Sequence, residues 1–349
     1  MDFAPTEEQS AAQGLAARIF GDLSTPERLA VAGPATDAEL WKELCAAGLT
    51  EAVEETGLLG LVLLLEEQGR TTAQVPFAAS CVYGLLSVAR HGTDEQRERL
   101  LPALRDGTAV ATGAFPARGG IRAEGTGTDD AGRLSGSVPY VAWLRDADLV
   151  LVPDREHRLW IVRTGDPGVL TEPVETTAPW SAARLVLDGA RGERLGGAGA
   201  YEAVLAAART AFAGLQAGVC AGSLARAVAH VNTREQFGRP LSTKQGVLLR
   251  AADAHMDTEA IRVTAYEAAW RYDTGLSYGP QALTAAWWAS EAGKRVVHAG
   301  QHLHGGTGAD LDHPVHRHFL WGRQLDAYLG CGGEVLQELG DSLVKEGTE

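Results

Sequence analysis

From Thr6 to Arg105 apolar residues recur at helical spacing, as in Ala38 to Leu49 and Leu58 to Gln68, within an Ala/Leu/Glu-rich stretch that suits helices better than strands. Gly92-Thr93-Asp94-Glu95-Gln96 reads as a loop entering a helix, with Thr93 as N-cap and Gln96 as the returning half of a capping box. The run to Leu104 completes one short helix. Between Gly107 and Gly199 glycine and proline become frequent, and short apolar runs (Ala147 to Val152, Leu159 to Val162, Arg184 to Leu187) replace the helical period, which predicts strands. The helical period returns over long Ala-rich stretches, Tyr201 to Val231, Ser242 to Tyr272 and Pro280 to His302, followed by a glycine-punctuated tail to Glu349. Helices of that length bury their apolar faces by packing as a bundle. The expected organisation is mainly α with a middle β domain: a helical domain at 1–107, a β domain at 108–199 and a helical bundle at 200–349.

Composition narrows the class. With 45% apolar and 22% charged residues, the chain has the balance of an ordinary globular protein, which excludes wholesale disorder. The longest uninterrupted apolar stretch, Gly57 to Leu65, is about half of the roughly 20 residues that cross a bilayer. Asp2 and Glu7 stand where a signal peptide carries basic residues. A soluble, cytoplasmic chain without a membrane partner is therefore expected. A net charge of −14 repels nucleic acid unless a local basic patch overrides it, and no run of the sequence supplies one. Cys45, Cys81, Cys220 and Cys331 lie far apart with no CxxC pair, so neither a disulfide framework nor a zinc site is expected.

Four segments carry a more specific signal: Met1-Asp2-Phe3 before Thr6-Glu7-Glu8-Gln9; Gly92-Thr93-x-Glu95-Gln96 running to Leu101-Pro102; Arg234-x-x-Phe237-Gly238; and Gly305-Gly306-x-Gly308 before Pro314-Val315. In this order and register they resemble the acyl-CoA dehydrogenase family over essentially the whole chain. The resemblance implies an N-terminal helical domain, a β-barrel-like middle domain and a C-terminal four-helix bundle. It also implies FAD and an acyl-CoA thioester held between domains and across a subunit interface, with an electron-transfer flavoprotein as acceptor. The cofactor-binding positions it assigns are Arg234, Phe237, Leu241, His302, Gly305 and Gly306. A dinucleotide diphosphate needs positive charge or bare backbone, which Arg234 and these glycines can supply. On spacing alone Arg234 also fits a solvated helix-end arginine, and Gly305-Gly306 a helix C-cap and turn.

In this family a glutamate removes the proton alpha to the thioester. The family's Tyr-Glu-Gly-Thr falls on Tyr328-Leu329-Gly330-Cys331, so Leu329 occupies the place of the base. The other location, before a family-typical arginine matched by Arg209, holds Ala208. No catalytic residue is assigned. The flavin contacts that a subunit makes to its own cofactor are also lost: Thr-Glu-Pro-x-x-Gly-Ser-Asp appears as Ala114-Phe115-Pro116-Ala117-Arg118-Gly119-Gly120-Ile121, and Trp-x-Thr as Tyr140-Val141-Ala142. The contacts made to a neighbour's cofactor remain, although the family's glutamine is His302 here, with Gln301 one place earlier. That half-site pattern, with Gln301 to Gly306 and Asp312 to Arg317, resembles the glutamate-lacking subunit of actinobacterial heteromeric α2β2 acyl-CoA dehydrogenases of steroid side-chain degradation. The partner it implies is a homologous subunit carrying the glutamate.

Six of the ten histidines lie between His298 and His318. On a helix His302 and His304 project about 200° apart, unlike the i,i+4 pairs that hold metals, so no metal is expected. They read instead as a polar seam at a subunit interface or around CoA phosphates, with His316 and Arg317 as candidate cations. Trp270, Trp287 and Trp288 suit core packing among alanines better than a substrate pocket. Two alternatives stay open. One is a homodimeric dehydratase or oxygenase of the same fold using Glu334, Asp326 or Asp310 as base, although Glu334 would point about 140° away from Leu329 on a continuing helix. The other is a non-catalytic scaffold.

Overall fold

The structure, a computed structural model, describes residues 3–124 and 131–346; Met1-Asp2 of the first motif lie outside the described residues. Helix α1 (Glu7–Leu23) opens with a capping box: Thr6 Oγ1 accepts from the Gln9 N–H at 3.2 Å and Gln9 Oε1 from the Thr6 N–H at 2.9 Å. Helices α2 (Pro26–Ala32) and α3 (Ala38–Ala46) follow. Helix α4 (Leu49–Thr71) breaks at Gly57, whose φ of +73° needs a residue without Cβ. Past the break, the new N-terminal donors of Leu58 and Leu59 are accepted by the Asp273 carboxylate at 2.7 and 2.9 Å. Helix α5 (Phe77–Ala79) runs through a π-helical segment, Ser80–Leu86, into α6 (Ser87–His91). Helix α7 (Asp94–Arg105) carries the capping box expected of Thr93 and Gln96.

The strands are β1 (Ala111–Gly113), β2 (Ile121–Glu124), β3 (Ala131–Val141), β4 (Leu149–Pro153), β5 (Leu159–Arg163), β6 (Val169–Pro173) and β7 (Ala183–Leu195). The three apolar runs read as strands fall in β4, β5 and the first half of β7. Among the described residues these strands form one mixed sheet in the order β1-β4-β5-β7-β3-β2. β7 is its spine: β3 pairs along one edge, while β6 and then β5 share the other. Apolar side chains at alternate positions (Leu134, Val150, Val152, Trp160, Val162, Leu185 and Leu187) make its core.

Helix α8 (Ala200–Thr233) leads into a two-residue hairpin, β8 (Glu235–Gln236) and β9 (Arg239–Pro240), then α9 (Gln245–Asp273) and α10 (Gly279–Leu303). The glycine-punctuated tail is more ordered than its composition suggested. It holds α11 (Pro314–Tyr328), capped by His313 with Pro314 in the first turn, and α12 (Gly332–Glu346). α10 packs on α9, α11 and α12. α8 is long and apolar enough to cross a membrane by length and composition, which a search for uninterrupted apolar runs overlooked; 89% of its most apolar window is buried inside the protein.

Residue contacts separate into two compact units. One contains Met1–Arg28, Leu58–Ala73 and Arg209–Glu349; the other contains Leu29–Gly57 and Gln74–Ala208, including the whole sheet. Within the first unit, the second half of α4 lies backbone to backbone on α8. A Cβ at Gly218 would stand 2.1 Å from the Glu66 carbonyl oxygen, and one at Gly69 would stand 2.2 Å from that of Leu215. Small residues at three successive turns of α8, Gly214, Gly218 and Gly222, make this approach possible.

Gly218→Ala is expected to destabilise the chain by roughly 3 kcal/mol, because the obstacle is backbone that cannot rotate away. Gly14→Ala in α1, with nothing within 4 Å of the added methyl, is expected to be neutral or to stabilise by about 0.5–1 kcal/mol. Urea midpoints of the two variants test the contrast, and equal midpoints would mean that the crossing is looser than described.

Candidate functional site

The end of α8 is basic on one face. Arg226, His230 and Arg234 are spaced i, i+4, i+8. Arg234 follows the last helical residue, with its N–H bonded to the His230 carbonyl at 2.8 Å. Its own carbonyl accepts from the Leu241 N–H at 2.9 Å, which closes the β8–β9 hairpin at its base. Leu241 packs half-buried with Ala227, Val231 and Leu303. At the hairpin tip Phe237 and Gly238 both have positive φ, +58° and +74°, as tight two-residue hairpins require. Phe237 is 92% exposed, with the Lys244 ammonium 4.7 Å from its ring centre. Phe237 thus projects a large aromatic from a left-handed backbone into solvent.

The end of α10 meets the same place. His302 is exposed, and the buried His304 donates from Nδ1 to the Gly300 carbonyl at 2.7 Å. The His304 ring stacks on His230 with centroids 4.7 Å apart and lies 4.9 Å from His313. His313 Nδ1 accepts from the Val315 N–H at 3.2 Å and so caps α11. Burial, then His304, His313 and Arg234, lower the pKa of His230 below the ordinary histidine value. Burial first, then His304 and Arg226, do the same for His313, with Asp310 opposing. Gly305, at φ +62°, turns the chain out of α10, and nothing lies within 4 Å of a Cβ at Gly305 or Gly306, so both present bare backbone to open space. Gln301, one place off the expected glutamine position, donates to the Gly308 carbonyl at 3.0 Å and braces the loop.

Five of the six predicted cofactor positions thus lie on adjoining helix ends and loops around the His230–His304 contact, and Leu241 packs beneath them. Missed were His230, Arg226, Lys244 and the convergence of His304 with His313. The i,i+4 spacing on α8 could have flagged Arg226 and His230; nothing local foretold that His313 folds back on His304. Among the described residues no group of three histidine, cysteine or carboxylate side chains could hold a metal ion.

Arg317, a candidate cation at phosphates, is committed elsewhere. Its guanidinium donates to the Thr72 carbonyl and hydroxyl at 3.1 Å each. Beside it, the fully buried His318 has Nε2 3.0 Å from the Arg70 carbonyl. Together they cap the C-terminus of α4.

Around Leu329 the structure is closed. Leu329 is the buried C-cap of α11, and Ala208 is fully buried. Arg209 donates from Nη1 and Nη2 to the Glu338 carboxylate at 2.6 and 2.9 Å and from Nε to the Leu329 carbonyl at 3.3 Å. Phe212 and Tyr328 meet edge to face at 4.8 Å. The cavity left among these residues is about 20 Å³, far below the several hundred that a bound small molecule fills. The helix does not continue from Leu329 to Glu334: the chain breaks at Gly330, φ +116°, and the Glu334 carboxylate turns back to accept from the Cys331 N–H at 3.1 Å. Asp326 pairs with Arg323 at 2.8 Å, and Asp310 accepts from the Asp312 N–H. A larger concavity of about 870 Å³ on α9, α10 and α11 is lined in part by paired charges, such as Arg295 with Asp257 and Lys294 with Glu291. Trp270, Trp287 and Trp288 are half-buried and line neither cavity.

In the sheet-bearing unit, the segment matched to the own-flavin contacts is filled with aromatics. Phe115 is buried and stacked between Tyr83 at 5.1 Å and Tyr201 at 5.6 Å. The Ala117 N–H is taken by the Tyr201 hydroxyl at 3.1 Å.

Burial pushes the His318 pKa down to about 4 from an ordinary 6.5, with Arg226 and Arg317 adding to the effect and the Arg70 and Pro314 carbonyls opposing it. The unfolded ring binds its proton first as pH falls, so stability is full above about 6.5 and declines toward 4, by on the order of 3 kcal/mol. In urea titrations from pH 7 to 4.5, His318→Gln should flatten the slope of stability against pH by nearly one proton. An unchanged slope would contradict the assignment.

Comparison with known proteins gives one consistent result. Residues 6–108 match the model of the acyl-CoA dehydrogenase N-terminal domain, and residues 196–339 match that of the acyl-CoA dehydrogenase C-terminal domain. The chain is 35% identical to acyl-CoA dehydrogenase FadE27 of Mycobacterium tuberculosis, with 99% of each chain covered. Among solved structures, it superposes on a chain of the Tcur3481-Tcur3483 steroid ACAD with a TM-score of 0.93 at 40% identity, covering 98% of this chain and 99% of that one. It superposes on a chain of the ChsE4-ChsE5 complex from Mycobacterium tuberculosis with a TM-score of 0.92 at 33% identity, covering 99% of each.

Proposed function

The chain belongs to the acyl-CoA dehydrogenase family, and from that premise we propose that it is the glutamate-lacking subunit of a heteromeric, FAD-dependent acyl-CoA dehydrogenase. In this role it completes the flavin site of a homologous partner that supplies the catalytic glutamate. The observation that carries the reading is a contrast within one bundle: an open basic end at Arg234, His230 and Gly305, and a closed end where Leu329 replaces the base and Arg209 is locked to Glu338. The basic end fits a dinucleotide diphosphate. It offers guanidinium groups, bare glycine backbone and an exposed aromatic at Phe237.

FAD, when bound, would supply the acceptor for the hydride leaving the β carbon of the thioester. This chain's part is positioning. Arg234 holds the diphosphate, and Gly305 and Gly306 allow close backbone approach. His304, fixed by the Gly300 carbonyl, keeps the loop in place. The buried stack of Tyr83, Phe115 and Tyr201 supports a single flavin per pair of subunits, because this chain's own counterpart segment offers packed rings in place of polar contacts. The 40% identity to a steroid ACAD supports a steroid-borne acyl-CoA as the substrate class.

Arg234→Ala in the co-expressed complex should weaken FAD retention roughly ten- to a hundredfold, the cost of one charge-assisted contact, while the two subunits still co-purify. FAD bound as tightly as in the unaltered complex would overturn the reading.

A further inference from the structure

Beyond the positions that the family assigns, the basic end holds a group of side chains whose charges are unanswered. Arg226, His230, Arg234, His304 and His313 converge from α8, α10 and the start of α11. Asp310 opposes the lowering of the His313 pKa. None of the five makes an ion pair with a described residue.

The three rings differ in what they can still do with a proton. His304 already donates Nδ1–H to the Gly300 carbonyl, and its ring is buried. His313 uses its Nδ1 lone pair to cap α11, so protonation there would break the cap. His230 bonds through neither nitrogen, is half-buried, and lies in ring contact with His304. It is the one ring of the three that is open to solvent and can also gain a proton without losing a bond; the free Nε2 of His304 is buried. Arg226 and Arg234 stand one helical turn to either side of it on α8.

We propose that His230, His304 and His313, flanked by Arg226 and Arg234, form a proton-coupled diphosphate site in which His230 takes up a proton from solvent as the anion binds. The inference rests on the reading that this end faces the partner's FAD. The two negative charges of a dinucleotide diphosphate are met by the two arginines, and the third cation appears only when the anion is present. In the free chain a permanent third charge would repel its neighbours: His304, His313 and Arg234 face His230, and Arg226 and Asp310 face His313. A neutral ring that charges on demand avoids that repulsion and ties cofactor retention to pH.

The test is calorimetric titration of FAD into the apo heteromeric complex at pH 7, in two buffers of different ionisation enthalpy, with released-flavin fluorescence measured from pH 6 to 8. The expected result is net proton uptake on binding and FAD held roughly five- to tenfold more tightly at pH 6 than at pH 8. His230→Gln should abolish both effects, whereas His298→Gln, whose ring packs on Phe319 outside this group, should preserve them. FAD binding without proton uptake, or uptake that survives His230→Gln, would overturn the proposal while leaving the Arg234 result intact. FAD held equally by the Arg234→Ala complex would instead remove the functional reading beneath it. Uptake seen with acetyl-CoA and not with FAD would assign the diphosphate to the thioester carrier, and the proposal as stated would fall.

Discussion

The close crossing of α8 on the second half of α4 is the constraint from which the rest of the bundle follows. Three glycines on successive turns of α8 bring the two backbones into contact, and the Cβ that any other residue would add at Gly218 has no room. The crossing also needs α4 to restart at Leu58, which Gly57 allows by its left-handed backbone and Asp273 secures by accepting both new N–H groups. At the far end, α4 terminates against Arg317 and His318, so the position of α11 is referred to the same contact.

Because α8 is pinned at its middle, from Gly214 to Gly222, the two sides of that contact carry different surroundings. Toward its N-terminus Arg209 is buried, bidentate to Glu338 and bonded to the Leu329 carbonyl. Such an arginine cannot leave its carboxylate without exposing an unpaired buried charge, so this end stays shut. Toward its C-terminus Arg226, His230 and Arg234 make no ion pair among the described residues, and burial with the neighbouring charges holds the His230 pKa below the ordinary histidine value. This basic end is a local exception on a chain of net charge −14, and its field favours an anion there.

Much of this was legible in the residues. The helix periods, the Thr93–Gln96 capping box and the β4, β5 and β7 runs rest on local rules, and local rules were enough. Arg234, Phe237, Gly305 and Gly306 were singled out because their spacing matched a family's, and the structure gathers them at adjoining helix ends. What the sequence hid was non-local. The pairing of Arg209 with Glu338 joins residues 129 apart, and the stacking of His304 on His230 depends on where two long helices end. The break at Gly330 defeated a simple helical projection for Glu334, since one positive φ redirects the chain. The six histidines between His298 and His318 looked like one group and divide into several: His304 and His313 at the basic end, His318 buried under α4, and His298 against Phe319.

The central claim is that this chain helps to hold a flavin that it cannot hold alone. Native mass spectrometry of the chain, alone and co-expressed with a homologous glutamate-bearing chain, combined with flavin absorbance, measures this directly. The account predicts a particle of two copies of each subunit carrying about two FAD, and a lone chain that is colourless. A lone chain binding about one FAD per protomer would contradict it.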